Sequence, residues 1–156
     1  MHQGKPVDGK HFFVLLYADS EFCEQLGRAV LAAGRLETEL KRYLSANSVP
    51  VNTKRATLGG LLELVKKYEL LRKMQPALEL LRDQRNYLTH SIHSLLSGWI
   101  EETILEKSNL LDSDVVTYTE RAWQLAENLN GLADIVEKEN SAHNPIATAD
   151  ARQWSR

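Results

Sequence analysis

An all-α chain folded as a four-helix, up-and-down-type bundle is what the sequence predicts, and three observations carry that expectation. Apolar residues recur at intervals of three and four over four long stretches, the period of helices that bury one face. Helix-starting side chains and helix-ending glycine stand near the ends of several of those stretches. At 156 residues, with 43% apolar and 26% charged side chains, the chain has the size and composition of one globular domain. The expected organisation is a lead-in over 1–19, a helical domain over 20–138 and a loose tail over 139–156.

The first predicted helix follows Asp19-Ser20, either of which can cap it, with Glu21 and Glu24 in its first turn. Phe22, Leu26, Ala29, Val30, Ala33, Leu36, Leu40, Tyr43 and Leu44 mark its core face, and Ser45 to Val51 closes it. Gly27 and Gly34 lie one heptad apart, so a neighbouring backbone is expected to pack closely there. Leu58, Leu61, Leu62, Val65, Tyr68 and Leu71 form a second helix ending near Arg72, and Gln75-Pro76 restarts the chain. Leu78, Leu81, Leu88, Ile92 and Leu95 give a third helix that stops around Gly98. Thr117 and Glu120 have capping-box spacing ahead of a fourth, through Leu125, Leu129, Leu132 and Val136. Two stretches stay open. Phe12 to Tyr17 fits a buried strand or a helical lead-in, and Trp99 to Lys107 has the residue types to pair with Asp114 to Val116 as a short β-ribbon between helices three and four.

Composition narrows the function classes. Cys23 is the only cysteine, which excludes an intrachain disulfide and a cysteine-based zinc framework and fits a reducing cytoplasm. The longest apolar run, Phe12 to Ala18, is far short of the roughly 20 residues of a membrane span, and the N-terminal residues lack the apolar core of a signal peptide. Neither export nor insertion is expected. A net charge of −2 argues against a sequence-blind grip on nucleic acid, so any RNA contact has to use a local basic patch. Paired cations such as Lys41-Arg42 and Lys66-Lys67 read as solvated helix faces. Trp99 and Trp123 read as core, Trp154 as tail, and Cys23 as a small buried hydrophobe.

The third helix carries the chemistry. At about 100° per residue, Arg85 projects at the edge of the arc formed by Leu78, Leu81, Leu88 and Ile92, where a permanent cation needs compensation. Beside it lies a polar stripe that includes Arg82, Asn86, Thr89, His90 and His93. Asn86, His90 and His93 share one row, in which Asn86 can orient the His90 imidazole or hold a substrate oxygen, while Arg85 sits about 140° around the helix from His90.

Arg85-Asn86-Tyr87-Leu88-Thr89-His90, an arginine followed after four residues by a histidine late on the third helix of four, resembles the motif of the HEPN superfamily. The resemblance covers roughly residues 20–136. It implies a helical bundle and, in many members, a metal-independent ribonuclease of toxin–antitoxin or phage-defence systems that works as a homodimer. On that pattern Arg85 and His90 are catalytic. Asn86, Thr89, Arg82 and His93 would bind substrate, with tRNA or mRNA as substrate and an antitoxin protein as a partner. No cofactor is implied. A subset of the family continues the motif to His-x-Tyr, the target of a partner nucleotidyltransferase; Ile92 stands at that place here, which puts such a partner in doubt.

Blander roles compete for the same residues. Glu37, Glu39 or Glu79 can neutralise Arg85 as a structural ion pair, and Glu37 or Glu39 can instead orient His90. His90 and His93 have the spacing of two metal ligands one turn apart, but His2, His11 and His143 lie in the termini, so carboxylates such as Asp83 or Glu37 would have to complete a metal site. A non-catalytic dimeric module that binds a nucleotide or a partner protein through the same stripe is the alternative function.

Overall fold

The structure, a computed structural model, describes residues 4–47, 56–65, 68–91 and 110–143. Among these residues the fold is all-α. Its helices are α1 (Gly9–Ala18), α2 (Ser20–Ala46), α3 (Leu58–Val65), α4 (Glu69–Asn86), which widens into a π-turn over Tyr87–Ser91, and α5 (Asp114–His143). The open Phe12–Tyr17 run is helical. Asp8 starts α1 by accepting the His11 N–H at 2.7 Å, and Phe12 and Leu16, one turn apart, are buried.

A single residue separates α1 from α2. The Asp19 N–H donates to the Leu15 and Leu16 carbonyls, closing α1, while its carboxylate accepts the Phe22 N–H at 2.7 Å, opening α2. The buried face of α2 follows the predicted period through Phe22, Ala29, Ala33, Leu36, Leu40 and Leu44. Val30 does not belong to it and is about half exposed, at 49%. Gly27 and Gly34 lie on the exposed side of α2, and a Cβ on either would meet nothing within 4 Å, so the expected close packing on that stripe is absent among the described residues. Cys23 is exposed rather than buried, with its Sγ–H donated to the Leu16 carbonyl at 3.6 Å or the Tyr17 carbonyl at 3.5 Å.

The break between the second and third predicted helices moves. α4 begins at Glu69 and runs through Pro76 rather than restarting there. Pro76 is exposed, so its missing N–H strands only a solvent-facing carbonyl, whereas Leu71, Leu78 and Leu81 bury one continuous face across it. The end near Gly98 lies outside the described residues, as do residues 99–109. Asp114 to Val116 form the first turn of α5 and not a ribbon strand, and Thr117 and Glu120 lie inside the helix. The Asp114 carboxylate accepts the Leu111 N–H at 2.8 Å, and an antiparallel bridge between Pro6 and Leu111 ties the N-terminal segment to this corner. At its other end α5 continues to His143, so residues 139–143 are helix and not loose tail; residues 144–156 lie outside the described set.

Side-chain pairings fix how the helices run. Glu39 meets Asn140 and Arg35 meets Asn130, Asp134 and Glu137, while Gln25 shares a surface hollow with Thr119 and Trp123. Position therefore advances in step along α2 and α5, and the two long helices are parallel. Tyr43 packs edge-on against Tyr68 and Glu37 meets Arg85, so α4 runs antiparallel to α2. That arrangement departs from a strict up-and-down order, in which the first and last long helices would oppose one another.

Candidate site on the fourth helix

The motif sits where α4 loses its regular period. Arg85 and Asn86 end the α-helical part, and Thr89 and His90 lie in the π-turn that follows. A π-turn bonds i to i+5, so the i, i+4 row drawn through Asn86 and His90 on an ideal α-helix is not kept across it. Such turns are frequent at functional sites. Within it the Thr89 hydroxyl donates to the Arg85 carbonyl at 2.8 Å, four residues back. His93 lies outside the described residues.

Arg85 turns inward toward α2 and the start of α3, with its side chain only 18% exposed. Glu37 is its counter-ion, at 3.7 Å from Nη2 to Oε1. The same Glu37 oxygen accepts the Leu58 N–H at 3.0 Å, so one carboxylate caps α3 and neutralises Arg85 together. Thr57 completes that cap through its hydroxyl, which accepts the Gly60 N–H at 3.3 Å. Of the glutamates considered for Arg85, Glu39 is committed elsewhere. It is buried, accepts from Arg42 at 2.8 Å, and accepts from the Asn140 amide at 2.9 Å. Glu79 accepts from Gln75 at 2.8 Å.

One donor in this corner has no counterpart. Nε of Arg85 is buried with no hydrogen-bond partner among the described residues. A buried guanidinium N–H without an acceptor is costly unless a ligand, a water or another chain supplies one. Arg82 stands one turn earlier, partly exposed, with its Nε–H donated to Asp83 at 2.9 Å. Its aliphatic stem approaches α3 at Gly59, where an added Cβ would lie 3.8 Å from the Arg82 Cδ. Asn86 is half-buried. The fold thus gathers Arg82, Arg85, Asn86 and Thr89 within two turns of one helix.

Sequence reasoning missed the cleft on the other side of the same helix. Tyr87 and Leu88 of α4 face Leu125 of α5 across a space of about 230 Å³. Gln84, Arg121, Gln124 and Asn128 bring polar groups to it. Beneath lies a buried phenol pair, with the Tyr87 and Tyr118 oxygens 3.2 Å apart and the Tyr118 ring packed edge-on against Phe12. Burial, and then the bond to Tyr87, push the Tyr118 hydroxyl far above the ordinary phenol range. The available signal was the spacing of Arg121, Gln124, Leu125 and Asn128, which puts three long polar side chains on the apolar edge of one helix face. Trp123, expected in the core, is instead 48% exposed between α2 and α5.

Among the described residues no group of three or more His, Cys, Asp or Glu side chains is placed to hold a metal ion. No described helix is long and apolar enough to cross a membrane. Comparison with protein families, curated proteins and solved structures finds no match to this chain.

Proposed function

We propose that this chain is a HEPN-like, metal-independent endoribonuclease of toxin or defence type, cutting RNA at a site completed when two copies bring Arg85 and His90 together. The observation that carries the reading is the unpartnered, buried Nε–H of Arg85, two residues ahead of the π-turn that holds His90. Glu37 balances the charge of that guanidinium from one side at 3.7 Å and leaves a donor for an anionic oxygen. In the reaction, neutral His90 takes the proton of a ribose 2′-hydroxyl and the 2′-oxygen attacks the adjacent phosphorus. The bond to the 5′-oxygen then breaks, and a protonated imidazole returns a proton to that oxygen. The products are a 2′,3′-cyclic phosphate and a 5′-hydroxyl. Arg85 neutralises the crowded phosphorane oxygens, and Asn86, Thr89, Arg82 and His93 position phosphate and ribose.

One copy of the motif offers one arginine and one histidine, and a two-fold dimer brings two such motifs face to face. A cytoplasmic protein acting on tRNA or mRNA, held in check by an antitoxin protein, is the setting this reading entails. The ion pair between Arg85 and Glu37 favours a second reading, a dimeric binding or adaptor module, because it gives the arginine a structural role tying α4 to α2 and α3. Cleavage assays in EDTA separate the two. The nuclease reading expects parent protein to cut RNA, with Arg85→Ala and His90→Ala each lowering the rate by at least about 100-fold while the helical spectrum is kept. A folded, dimeric parent that leaves every RNA intact supports the adaptor.

A further inference from the structure

The cleft between α4 and α5 has the size and chemistry of a subsite for one nucleobase. At about 230 Å³ it falls below the roughly 300–1,000 Å³ of pockets that take drug-sized ligands, which fits a single heteroaromatic ring system. Its walls at Leu88 and Leu125 are apolar, as a base face requires. The Arg121 guanidinium lies 5.6 Å from the centre of the Tyr118 ring, which is itself fixed by Phe12 and by the Tyr87 hydroxyl. Arg121 makes no ion pair among the described residues, so the outer face of its planar head remains available, and guanidinium planes stack on bases as aromatic rings do.

The base edge has a reader as well. Gln124 donates one amide N–H to the Asn128 carbonyl oxygen at 2.9 Å. That bond pairs the two side chains and leaves the Gln124 Oε1 as acceptor and the Asn128 Nδ2 as donor, on two residues that both line the cleft. One acceptor and one donor are the groups that the donor–acceptor pairs of base edges call for.

From this arrangement we infer that the α4–α5 cleft is a nucleobase-binding subsite, in which a base stacks on Arg121 and is read by the Gln124–Asn128 amide pair. The inference rests on the ribonuclease reading for its biological ligand, and the cleft lies on the side of α4 that faces α5, away from the Arg85 corner. A base held there belongs to the same RNA as the phosphate at the Arg85 corner, reached around α4, and the subsite selects the RNA that is cut.

The test titrates the full chain with each of the four nucleoside 5′-monophosphates, and with ribose 5-phosphate as the control that lacks a base, following amide shifts by NMR. At least one monophosphate is expected to bind at least about 10-fold more tightly than ribose 5-phosphate, through stacking of the base. Asn128→Ala and Gln124→Ala, both at exposed helix positions, are each expected to weaken it about 5-fold or more. Equal binding of ribose 5-phosphate and all four nucleotides overturns the subsite, as does unchanged affinity in both variants. Cleavage of RNA is measured on the same samples, so the two ideas can fail separately. Nucleotide binding that responds to Asn128→Ala without RNA cleavage keeps the subsite and removes the nuclease; cleavage with a site preference unaltered by either variant does the reverse.

Discussion

Glu37 is the residue on which the motif corner turns, because its carboxylate serves the Leu58 N–H and the Arg85 guanidinium at once. Glu37→Gln keeps an oxygen for the helix cap and removes the charge, whereas Glu37→Ala removes both. Urea unfolding should find the alanine variant less stable than the parent by about 2–3 kcal/mol, from a lost cap and an unpaired, largely buried cation. The glutamine variant should lose about half of that; equal stability of all three proteins would show that the corner bears no load. Tyr118 makes a second prediction at this scale. Its native pKa is raised by burial above the unfolded value of 10.0, so below about pH 10 both folded and unfolded forms keep the proton and the stabilisation is complete. Above that pH the unfolded chain releases the proton while the folded one retains it. Stability therefore falls as pH rises past 10, and Tyr118→Phe should flatten that fall, as thermal melts between pH 8 and 11 can show.

At the scale of elements, what the sequence made legible was the faces. The buried positions of α2 and α5 follow from their period, and the Asp19 cap follows from a carboxylate placed before an apolar run. What it concealed were boundaries set by competing terms. Pro76 reads as a helix start, yet the leucine face spanning it outweighs one missing hydrogen bond. Thr117 and Glu120 read as a capping box, yet Asp114 and the Pro6–Leu111 bridge start α5 earlier. Arg85 was legible as a cation needing compensation, but which glutamate answers it depends on how α2 packs on α4, which no local pattern contains. Gly27 and Gly34 suggested a close helix contact, but on a helix the same spacing fits a face turned outward. Since a Cβ there meets nothing, Gly27→Ala and Gly34→Ala should each stabilise the protein by about 0.5–1 kcal/mol in thermal or urea unfolding. A loss of stability would place a neighbouring backbone, such as a second copy, on that stripe.

The whole molecule is organised by the parallel pair of α2 and α5, with Arg35 joining Asn130, Asp134 and Glu137 as a register mark and the buried Glu39 fixing Asn140 beyond it. Periodicity gives each helix a face and no direction, so this order came only from tertiary pairings. Against that frame α4 presents two surfaces, the Arg85 corner toward α2 and α3 and the cleft toward α5. On the proposed reading the first takes a phosphate and the second a base, and the pair form one RNA site shared across a dimer. The most direct test of that claim is to incubate the purified chain with RNA in EDTA and to identify the ends of the products. The account predicts 2′,3′-cyclic phosphates opposite 5′-hydroxyls, the ends that attack by the 2′-hydroxyl leaves. Products ending in 3′-hydroxyl and 5′-phosphate, or cleavage that needs added metal, would contradict it.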